Sequence, residues 1–333
     1  MKPMNGGDAS LGHPCIARNV NFNSTLATTP CASLREECSA TTCWTSHDSM
    51  QIGSEGEPNQ PLVTVVIPSY NHERYVSQAI ESVVSQSYRN IEIIVIDDGS
   101  KDQSVQIITS LAEKHDFTVI ARENRGLART LNEGIGLAHG MYISFVASDD
   151  YYFPHRIENA VRQLNKSSGK VACVYCDGHI VDEAGKEIGL FGDRHPRPLV
   201  GSIYDNLLVG NWIPGMGVTF KAEVLKQFKF DERFMIEDHT LFLRMFKDDK
   251  HELIFYKDLG FVYRWHGYNI SRPGELMDIE NRLIESSFED VGRYAEFKRQ
   301  LKNRSFARIE VGQWKNFYLL FLHLSRVFRR KLA

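Results

Sequence analysis

Two pairs of adjacent carboxylates stand behind apolar stretches of this chain. Asp97 and Asp98 follow the run IEIIVI, and Asp149 and Asp150 follow MYISFVAS. Four carboxylates that meet at one place repel one another unless a cation or hydrogen-bond donors lie among them. Carboxylate oxygens suit Mg²⁺ or Mn²⁺, so the pairs predict a divalent-metal site. An alternative stays open, in which each pair caps a loop or the next helix, because Asp favours both places.

The two pairs meet only if the chain between them folds into a parallel sheet. Apolar runs typical of strands alternate with segments in which apolar residues recur at helical spacing. The predicted strands are 62–67, 91–96, 117–120, 141–146 and 171–175. The predicted helices are 76–84, 102–114, 127–138 and 157–164. Such alternation forms βαβ units, and ligands of these sheets bind outside the carboxyl ends of the strands.

The pattern is less regular beyond residue 175. The stretch GNWIPGMGVTF, residues 210–220, is rich in Gly, Pro and aromatic residues, which suits a loop against a ligand. A helix is predicted from residue 236, with Glu237 and Asp238 in its first turn. The other predictions are a hairpin over 179–191 that turns near Ala184-Gly185, a helix over 203–209, strands at 253–256 and 261–266, and charged helical structure over 275–303.

Composition excludes several classes of protein. The chain has 333 residues, with 39 basic against 42 acidic side chains, so no net field attracts nucleic acid. It contains neither an apolar run long enough to span a membrane nor an apolar secretory core at its N-terminus. Cys173 and Cys176 lie in an apolar run and are expected to be buried strand residues. With four more cysteines and no export signal, the chain is expected in a reducing cytoplasm.

Three regions are predicted along the chain. Residues 1–60 are rich in Ser, Thr, Asn, Gly and Cys, and are expected to form a disordered leader. Residues 61–275 form the α/β domain, and residues 276–333 form a helical C-terminal extension. Within this extension, 313–331 combines Trp, Phe and Leu with basic residues, which is typical of a helix on an anionic membrane surface. The alternative is a terminal helix packed on the domain.

Four sequence blocks in order carry a family resemblance. VVIPSYNHERYVSQAIESVVSQSYRNIEIIVIDDGSKD is the first, and NRGLARTLNEGIGLAHGMYISF is the second. ASDD and FDERFMIEDHTLFLRM follow. Over residues 62 to about 270 the chain resembles the family 2 glycosyltransferases, which are inverting enzymes with the GT-A fold. The resemblance implies a Rossmann-like, mostly parallel central sheet flanked by helices.

The resemblance also assigns catalytic and metal-binding residues. ASDD falls where the family places its metal-binding DxD, which implies that Asp149 binds a Mn²⁺ or Mg²⁺ ion. Asp150 would assist directly or through water, and His266 lies where relatives contact the metal or the diphosphate. Asp238 of the Glu237-Asp238 pair matches the catalytic base that takes the proton of the acceptor hydroxyl. Without the resemblance, this last pair reads as acidic residues that favour a helix N-terminus.

A further set of residues matches the positions at which the family contacts its nucleotide-sugar donor. Asp98 corresponds to the carboxylate that accepts from a ring N–H of the base, which favours uracil or thymine but also fits guanine. Asp97 either lies nearer the ribose or orients its loop, and Arg129 is either a phosphate ligand or a solvated helix residue. The complete set is Pro68, Ser69, Tyr70, Glu73, Asp97, Asp98, Asn124, Arg125, Gly126, Arg129, Asn132 and Ser148.

One departure from the family pattern leaves an alternative open. The family commonly has an acid two residues before Asp149, where this chain has Ala147. The expected function is transfer of a sugar, with a UDP-sugar as the expected donor, to a saccharide or lipid-linked acceptor in surface polysaccharide biosynthesis. A nucleotide-sugar-binding protein without catalysis is the alternative that Ala147 supports. A dinucleotide-dependent dehydrogenase is disfavoured, because PSYNHE stands where a GxGxxG turn would follow the first strand.

Overall fold

The structure is a computed structural model that describes residues 60–198, 201–267, 269 and 274–303. The predicted leader, except for its last residue, lies outside the described residues, as does the predicted membrane-surface helix at 313–331. Within the described ranges, no helix combines the length and the apolar content needed to cross a membrane.

The described chain alternates strands and helices. Its strands are β1 (Val63–Ser69), β2 (Ile91–Asp97), β3 (Thr118–Ala121), β4 (Tyr142–Phe145), β5 (Tyr151–Tyr152), β6 (Val171–Asp182), β7 (Glu187–Leu190), β8 (Val218–Lys221) and β9 (Glu252–Trp265). Its helices are α1 (Val76–Val84), α2 (Ser104–His115), α3 (Leu127–Leu137), α4 (Arg156–Asn165), α5 (Phe191–Arg194), α6 (Ile203–Leu207), α7 (Ala222–Phe228), α8 (Glu237–Met245), α9 (Glu275–Ser287) and α10 (Glu289–Asn303).

One sheet runs in the order β3-β2-β1-β4-β8-β6-β9-β5, with β7 paired to β6. The strands β3, β2, β1 and β4 are mutually parallel, as the βαβ pattern predicts. The strand β8 is antiparallel to both β4 and β6, and β6 is parallel to β9. The predicted α/β sheet is therefore confirmed, with an antiparallel strand inserted at its centre.

The helical spacing of apolar residues correctly predicts which helix faces are buried. In α1 the buried residues are Val76, Ala79, Ile80 and Val83, and all of these except Ala79 pack in a cluster with apolar residues of α2 and α4. A second cluster joins α3, α7 and α8. Each fully buried aliphatic side chain contributes about 1.5–3 kcal/mol to folding relative to an exposed one. The two clusters hold the sheet between them and fix its carboxyl edge.

Two predicted boundaries are wrong. Residues 218–220, predicted as part of a loop, belong to β8, which pairs with β4 on one side and β6 on the other. The predicted strands at 253–256 and 261–266 are instead one strand, β9, whose pairing with β6 shifts register around Asp177. The first prediction failed because the Gly and Pro residues of 210–217 indicate a loop, whereas strand pairing decides the structure of 218–220. The second failed because the polar residues between 256 and 261 indicate a break between two strands.

Strand register brings the two acidic pairs to one edge of the sheet. Ser69, the last residue of β1, lies opposite Asp97, the last residue of β2. The backbone N–H of Asp98 donates to the carbonyl of Ser69 at 2.8 Å, and that of Ser148 donates to the carbonyl of Pro68 at 3.2 Å. The segments that follow β1, β2 and β4 are therefore neighbours.

Candidate active site

Three side chains from distant parts of the chain converge at this edge. The Nε2 of His266 lies 2.9 Å from Oδ2 of Asp149, and the Nε2 of His72 lies 3.8 Å from the same oxygen. One ligand atom from each of the three residues lies within 4.8 Å of the other two. Asp149 follows β4, His266 follows β9, and His72 lies between β1 and α1. Two nitrogens and a carboxylate oxygen in this arrangement form a candidate metal centre.

Burial and nearby charges shift the pKa values of Asp149 and His72 in opposite directions. Burial raises the pKa of the Asp149 carboxyl, but the hydrogen bond with His266 and the nearby charges of His72 and His266 outweigh it, so the net shift is downward. Burial lowers the pKa of His72 against the attraction of Asp149. The net shift therefore favours an ionised Asp149 carboxylate, the form in which it binds a metal.

Neighbouring side chains orient both imidazoles. The Oγ of Ser148 lies 2.8 Å from Nδ1 of His72, which leaves Nε2 directed toward Asp149. The ring of His266 stacks on Tyr75, with centroids 5.5 Å apart and planes at 24°. Ser148, predicted as a donor contact, thus has a defined contact within the protein. Sequence reasoning missed His72, whose only signal was its position in the turn PSYNHE behind β1.

Asp150 is not one of the three residues of this group. Its side chain is 2% exposed, and its Oδ1 accepts from the backbone N–H of Arg264 at 2.8 Å. The Nε of Arg264 also donates to the carbonyl of Asp149 at 3.1 Å. Burial, followed by repulsion from Asp149, raises the pKa of Asp150 well above its ordinary value. Asp150 anchors β9 behind the metal group, and its predicted assistance to a metal has no direct geometric support among the described residues.

The carboxylate of Asp97 closes its own loop. Its Oδ1 accepts from the backbone N–H of Ser100 at 2.8 Å, and its Oδ2 accepts from the Ser100 hydroxyl at 2.6 Å. Gly99 in this turn has a φ of +82°, and a Cβ there would lie 2.7 Å from the backbone nitrogen of Asn124. Of the two roles left open for Asp97, orientation of the loop agrees with these contacts.

Asp98 binds the segment between β3 and α3. Its Oδ1 accepts from the backbone N–H of Arg125 at 2.8 Å and from the guanidinium of Arg122, and its Oδ2 accepts from Gly126 at 2.9 Å. Gly126 has a φ of +91° and directly precedes α3. These contacts place Asn124, Arg125 and Gly126 beside the end of β2. Contact between Asp98 and a nucleotide base stays a prediction.

The turn after β1 is joined to the turn after β2 by reciprocal hydrogen bonds. The carboxylate of Glu73 accepts from Gln103 at 2.8 Å, while the backbone N–H of Glu73 donates to Asp102 at 2.9 Å. Pro68 and Ser69 end β1. Of the three residues predicted to contact the donor here, Pro68, Ser69 and Tyr70, the last is the most exposed, at 45%. Glu73 therefore fixes the position of the turn, and its predicted contact with a donor is untested.

An open cleft of about 540 Å³ adjoins the Asp98 loop. It is lined by Arg125, Arg129, Asn132, Glu133 and Glu232. The Nε of Arg129 lies 2.9 Å from Glu232 in an exposed ion pair. Asn132 exchanges two hydrogen bonds with the backbone of Phe230, at 3.0 and 2.8 Å. Asn132 thus joins α3 to the segment before α8, and a donor contact by its amide remains a prediction.

The second carboxylate centre lies at the start of α8. The Oδ2 of Asp238 accepts from the side-chain amide of Asn211 at 3.1 Å, and its Oδ1 accepts from the backbone N–H of His239 at 2.6 Å. Burial raises the pKa of Asp238 to about 6. Burial and the adjacent charge of Asp238 raise the pKa of Glu237 to about 8. At neutral pH, Asp238 is the stronger candidate for a deprotonated base.

Register places Asp238 at the same edge as Asp149. Ser144 of β4 lies opposite Thr219 of antiparallel β8, so residues just before β8 share an edge with residues just after β4. One of these is Gly215, where a Cβ would lie 3.2 Å from Oδ2 of Asp238. Sequence reasoning missed Asn211 as a partner of the carboxylate. It also missed the role of α9, whose Glu280 accepts from the backbone N–H of Ile236 at 3.1 Å, just before α8.

Comparison with known proteins identifies the family. The family model described as glycosyl transferase family 2 matches residues 64–222. An uncharacterized glycosyltransferase of Haemophilus influenzae is 32% identical over 200 residues, which cover 59% of this chain and 76% of that protein. The chain belongs to glycosyl transferase family 2. The resemblance carried by the four sequence blocks is thereby confirmed, and with it membership of a family of transferase enzymes.

For two other relatives of this family 2 glycosyltransferase, the match covers only part of each of them. An uncharacterized glycosyltransferase of Rickettsia prowazekii is 42% identical over 123 residues, or 37% of this chain and 38% of that protein. One of Rickettsia bellii is 38% identical over 236 residues, or 68% of this chain and 33% of that protein. The chain thus spans about a third of the length of these two relatives.

A solved structure shows the same fold. S. aureus TarS, residues 1–349, in complex with UDP-GlcNAc, superposes with a TM-score of 0.50 and 19% identity, over 68% of this chain and 66% of that one. The curled α/β sheet is therefore the GT-A fold, as the resemblance predicted.

Proposed function

We propose that this protein transfers a sugar from a nucleotide-sugar donor to a saccharide or lipid-linked saccharide acceptor, with inversion at the anomeric carbon. The observation that carries the proposal is the contact between Asp149 and His266, 117 residues apart, at the sheet edge that Asp238 shares. Surface polysaccharide biosynthesis is the process that fits such an acceptor. Family membership supports the reaction class, and the residues below supply its parts.

A divalent cation, Mn²⁺ or Mg²⁺, is held in this proposal by Asp149 and His266. Neighbouring octahedral ligands at about 2.1 Å from one ion lie about 3.0 Å apart, and the two donor atoms are 2.9 Å apart. When bound, the cation neutralises charge that develops on the departing diphosphate. The buried contacts of Asp150 with Arg264 keep Asp149 in place for this role.

Asp238 is the proposed general base. As the acceptor oxygen forms its bond to the anomeric carbon, the bond from that carbon to the diphosphate oxygen breaks, and Asp238 takes the proton of the acceptor hydroxyl. A base whose pKa is near 6 is deprotonated at neutral pH yet still accepts a proton effectively. Glu237, with a pKa of about 8, stays protonated there and supports Asp238 without adding a second charge.

The donor is proposed to lie along the turns after β1, β2 and β3. Asp98 and its loop stand where a nucleobase and ribose are expected, with Pro68 and Ser69 at the end of the neighbouring strand β1 and Tyr70 directly after it. Arg125 and Arg129 line the adjoining cleft and suit phosphate oxygens. A UDP-sugar is the donor we favour, and the UDP-GlcNAc complex of the structurally similar TarS agrees with this choice.

Binding and catalysis are tested separately. A thermal-shift screen of UDP, GDP and dTDP, each with and without Mn²⁺, detects ligands of the folded protein. Donor hydrolysis and sugar transfer are then measured for the wild type, Asp238→Asn and the control Asp248→Asn, whose side chain is 65% exposed. Loss of activity in Asp238→Asn alone, with donor binding retained, supports the proposal. Binding without turnover in the wild type would instead indicate the noncatalytic alternative.

Contact with the inner face of a membrane is a separable part of the proposal. It is based on residues 313–331, which lie outside the described residues. Co-sedimentation with vesicles of anionic lipid, compared between the full chain and a variant with its five basic residues in 313–331 changed to Gln, tests it. Equal binding by both proteins, or binding by neither, would contradict membrane attraction through this segment.

A further inference from the structure

The candidate metal centre has an unusual donor set for a site expected to hold a hard cation. Where a carboxylate is common in the family, this chain has Ala147, and a second imidazole, that of His72, stands beside Asp149 instead. Together with His266, this gives two nitrogens and one carboxylate oxygen. A site that holds Mg²⁺ usually offers oxygens alone.

The position of His72 is not explained by a hydrogen bond to Asp149. Its Nε2 is 3.8 Å from Oδ2, which exceeds the range of an N–H···O hydrogen bond. Two ligands at about 2.1 Å from one ion can lie up to about 4.2 Å apart, so the same separation suits two ligands of a common ion. The Ser148 hydroxyl on Nδ1 is the kind of outer partner that fixes a metal-binding imidazole.

We infer that His72 is a third protein ligand of the cation and makes the site selective for first-row transition ions over Mg²⁺. The inference rests on the proposed function, in which Asp149 and His266 hold that cation. Imidazole nitrogen suits Mn²⁺ less well than Co²⁺ or Zn²⁺ but far better than Mg²⁺, which retains water and prefers carboxylate oxygen. The expected order of affinity is Zn²⁺ above Co²⁺, Co²⁺ above Mn²⁺, and Mn²⁺ above Mg²⁺.

The test measures metal binding without any turnover. Calorimetric titrations with Mn²⁺, Co²⁺ and Mg²⁺, each with and without saturating UDP, compare the wild type with His72→Ala and the control His139→Gln. His139 pairs with Glu92 and lies before β4, at the opposite edge of the sheet. Loss of an outer partner alone lowers metal affinity about 10–100-fold, so His72→Ala should lower Mn²⁺ and Co²⁺ affinity at least tenfold. Mg²⁺ affinity should change much less, and His139→Gln should match the wild type.

Pulsed electron paramagnetic resonance of bound Mn²⁺ adds a direct count of nitrogen ligands. The wild type should show coupling to two imidazole nitrogens, and His72→Ala and His266→Ala to one each. Ser148→Ala, which keeps the imidazole but removes its partner, should fall between the wild type and His72→Ala in Mn²⁺ affinity. Circular dichroism and thermal melting of each variant confirm that it is folded.

Three outcomes would overturn the inference. These are an unchanged ratio of Mn²⁺ to Mg²⁺ affinity in folded His72→Ala, a single coupled nitrogen in the wild type, and no Mn²⁺ binding by the wild type with or without UDP. Failure of the proposed function looks different, because it appears as absence of stabilisation by any nucleoside diphosphate and absence of sugar transfer. A wild type that transfers sugar with one nitrogen on its Mn²⁺ would refute the role of His72 and leave the function standing.

Discussion

Removal of the Asn211 side chain should shift the pH at which sugar transfer begins. The amide of Asn211 donates to Oδ2 of Asp238, and it favours the ionised carboxylate against the burial that raises the pKa to about 6. In Asn211→Ala the pKa of Asp238 is higher, so a larger fraction of Asp238 is protonated at a given pH. If Asp238 is the base, the acid limb of kcat/KM moves to higher pH, while the rate on the alkaline plateau changes little.

The size of this shift follows from the strength of one hydrogen bond. A hydrogen bond to a charged group contributes about 1.5–3 kcal/mol, and one pKa unit corresponds to about 1.4 kcal/mol. Because water enters the space left by Asn211 and restores part of the interaction, we take the lower end, about one unit. An acid limb at pH 6 then moves to about pH 7. At pH 6, kcat/KM falls about fivefold, and at pH 7 about twofold.

The assay is kcat/KM for donor turnover, measured from pH 5 to 8.5 at saturating metal. Asn90→Ala serves as the control, since Asn90 is exposed and donates to the carbonyl of Gln60, before β1. An acid limb that stays in place in Asn211→Ala, or a wild type whose kcat/KM does not fall below pH 6, would refute the assignment of Asp238 as the titrating base. A uniform loss at every pH would instead mean that Asn211 acts on substrate position.

Three further predictions concern stability. Glu237→Gln should raise the melting temperature by a few degrees at pH 8 but not at pH 5, measured by calorimetry. Because burial raises the pKa of Glu237 from 4.5 to about 8, the folded protein keeps a proton on this side chain that the unfolded chain releases. The free energy of unfolding of the wild type therefore falls as the pH rises from about 4.5 to about 8. Equal melting temperatures of the two proteins at pH 8 would contradict this. Asp98→Asn should lower the free energy of unfolding by about 2–3 kcal/mol in urea titrations, since it weakens charge-assisted hydrogen bonds to Arg122, Arg125 and Gly126; a loss below about 0.5 kcal/mol would count against their importance. Gly99→Ala should cost about 1–3 kcal/mol in the same assay, because alanine meets both a left-handed backbone and the nearby Asn124 nitrogen; unchanged stability would show that the loop moves freely.

The sequence was most informative where short-range periodicity and burial agree. The helix α1 and the strands β1, β2 and β4 lie close to their predicted bounds, because the apolar residues that predict each element are mostly buried in the core. The parallel order of these strands follows from the connecting helices. Cys173 and Cys176 are free and buried in β6, as expected for apolar strand residues.

Contacts between segments that are distant in the sequence could not be predicted from the spacing of residues along the chain. The strand β8 owes its form to β4 and β6 on either side, and nothing in VTFK itself excludes a loop. The partners of Asp238 are similar cases, since Asn211 comes from a separate loop and Glu280 from α9. Such contacts depend on how elements meet in space, which the spacing of residues along one element does not encode.

Three of the four carboxylates in the two acidic pairs accept hydrogen bonds from nearby backbone N–H groups. Repulsion between adjacent carboxylates is relieved mainly by backbone N–H donors, because Asp97 closes its own turn, Asp98 binds Arg125 and Gly126, and Asp150 binds Arg264. These three carboxylates shape the edge of the sheet. Asp149 differs, since its Oδ2 faces imidazole nitrogens within the candidate metal centre. Mg²⁺, Mn²⁺ and Zn²⁺ all carry two positive charges, so it is the donor set proposed above, two imidazole nitrogens and one carboxylate oxygen, that would discriminate among divalent cations.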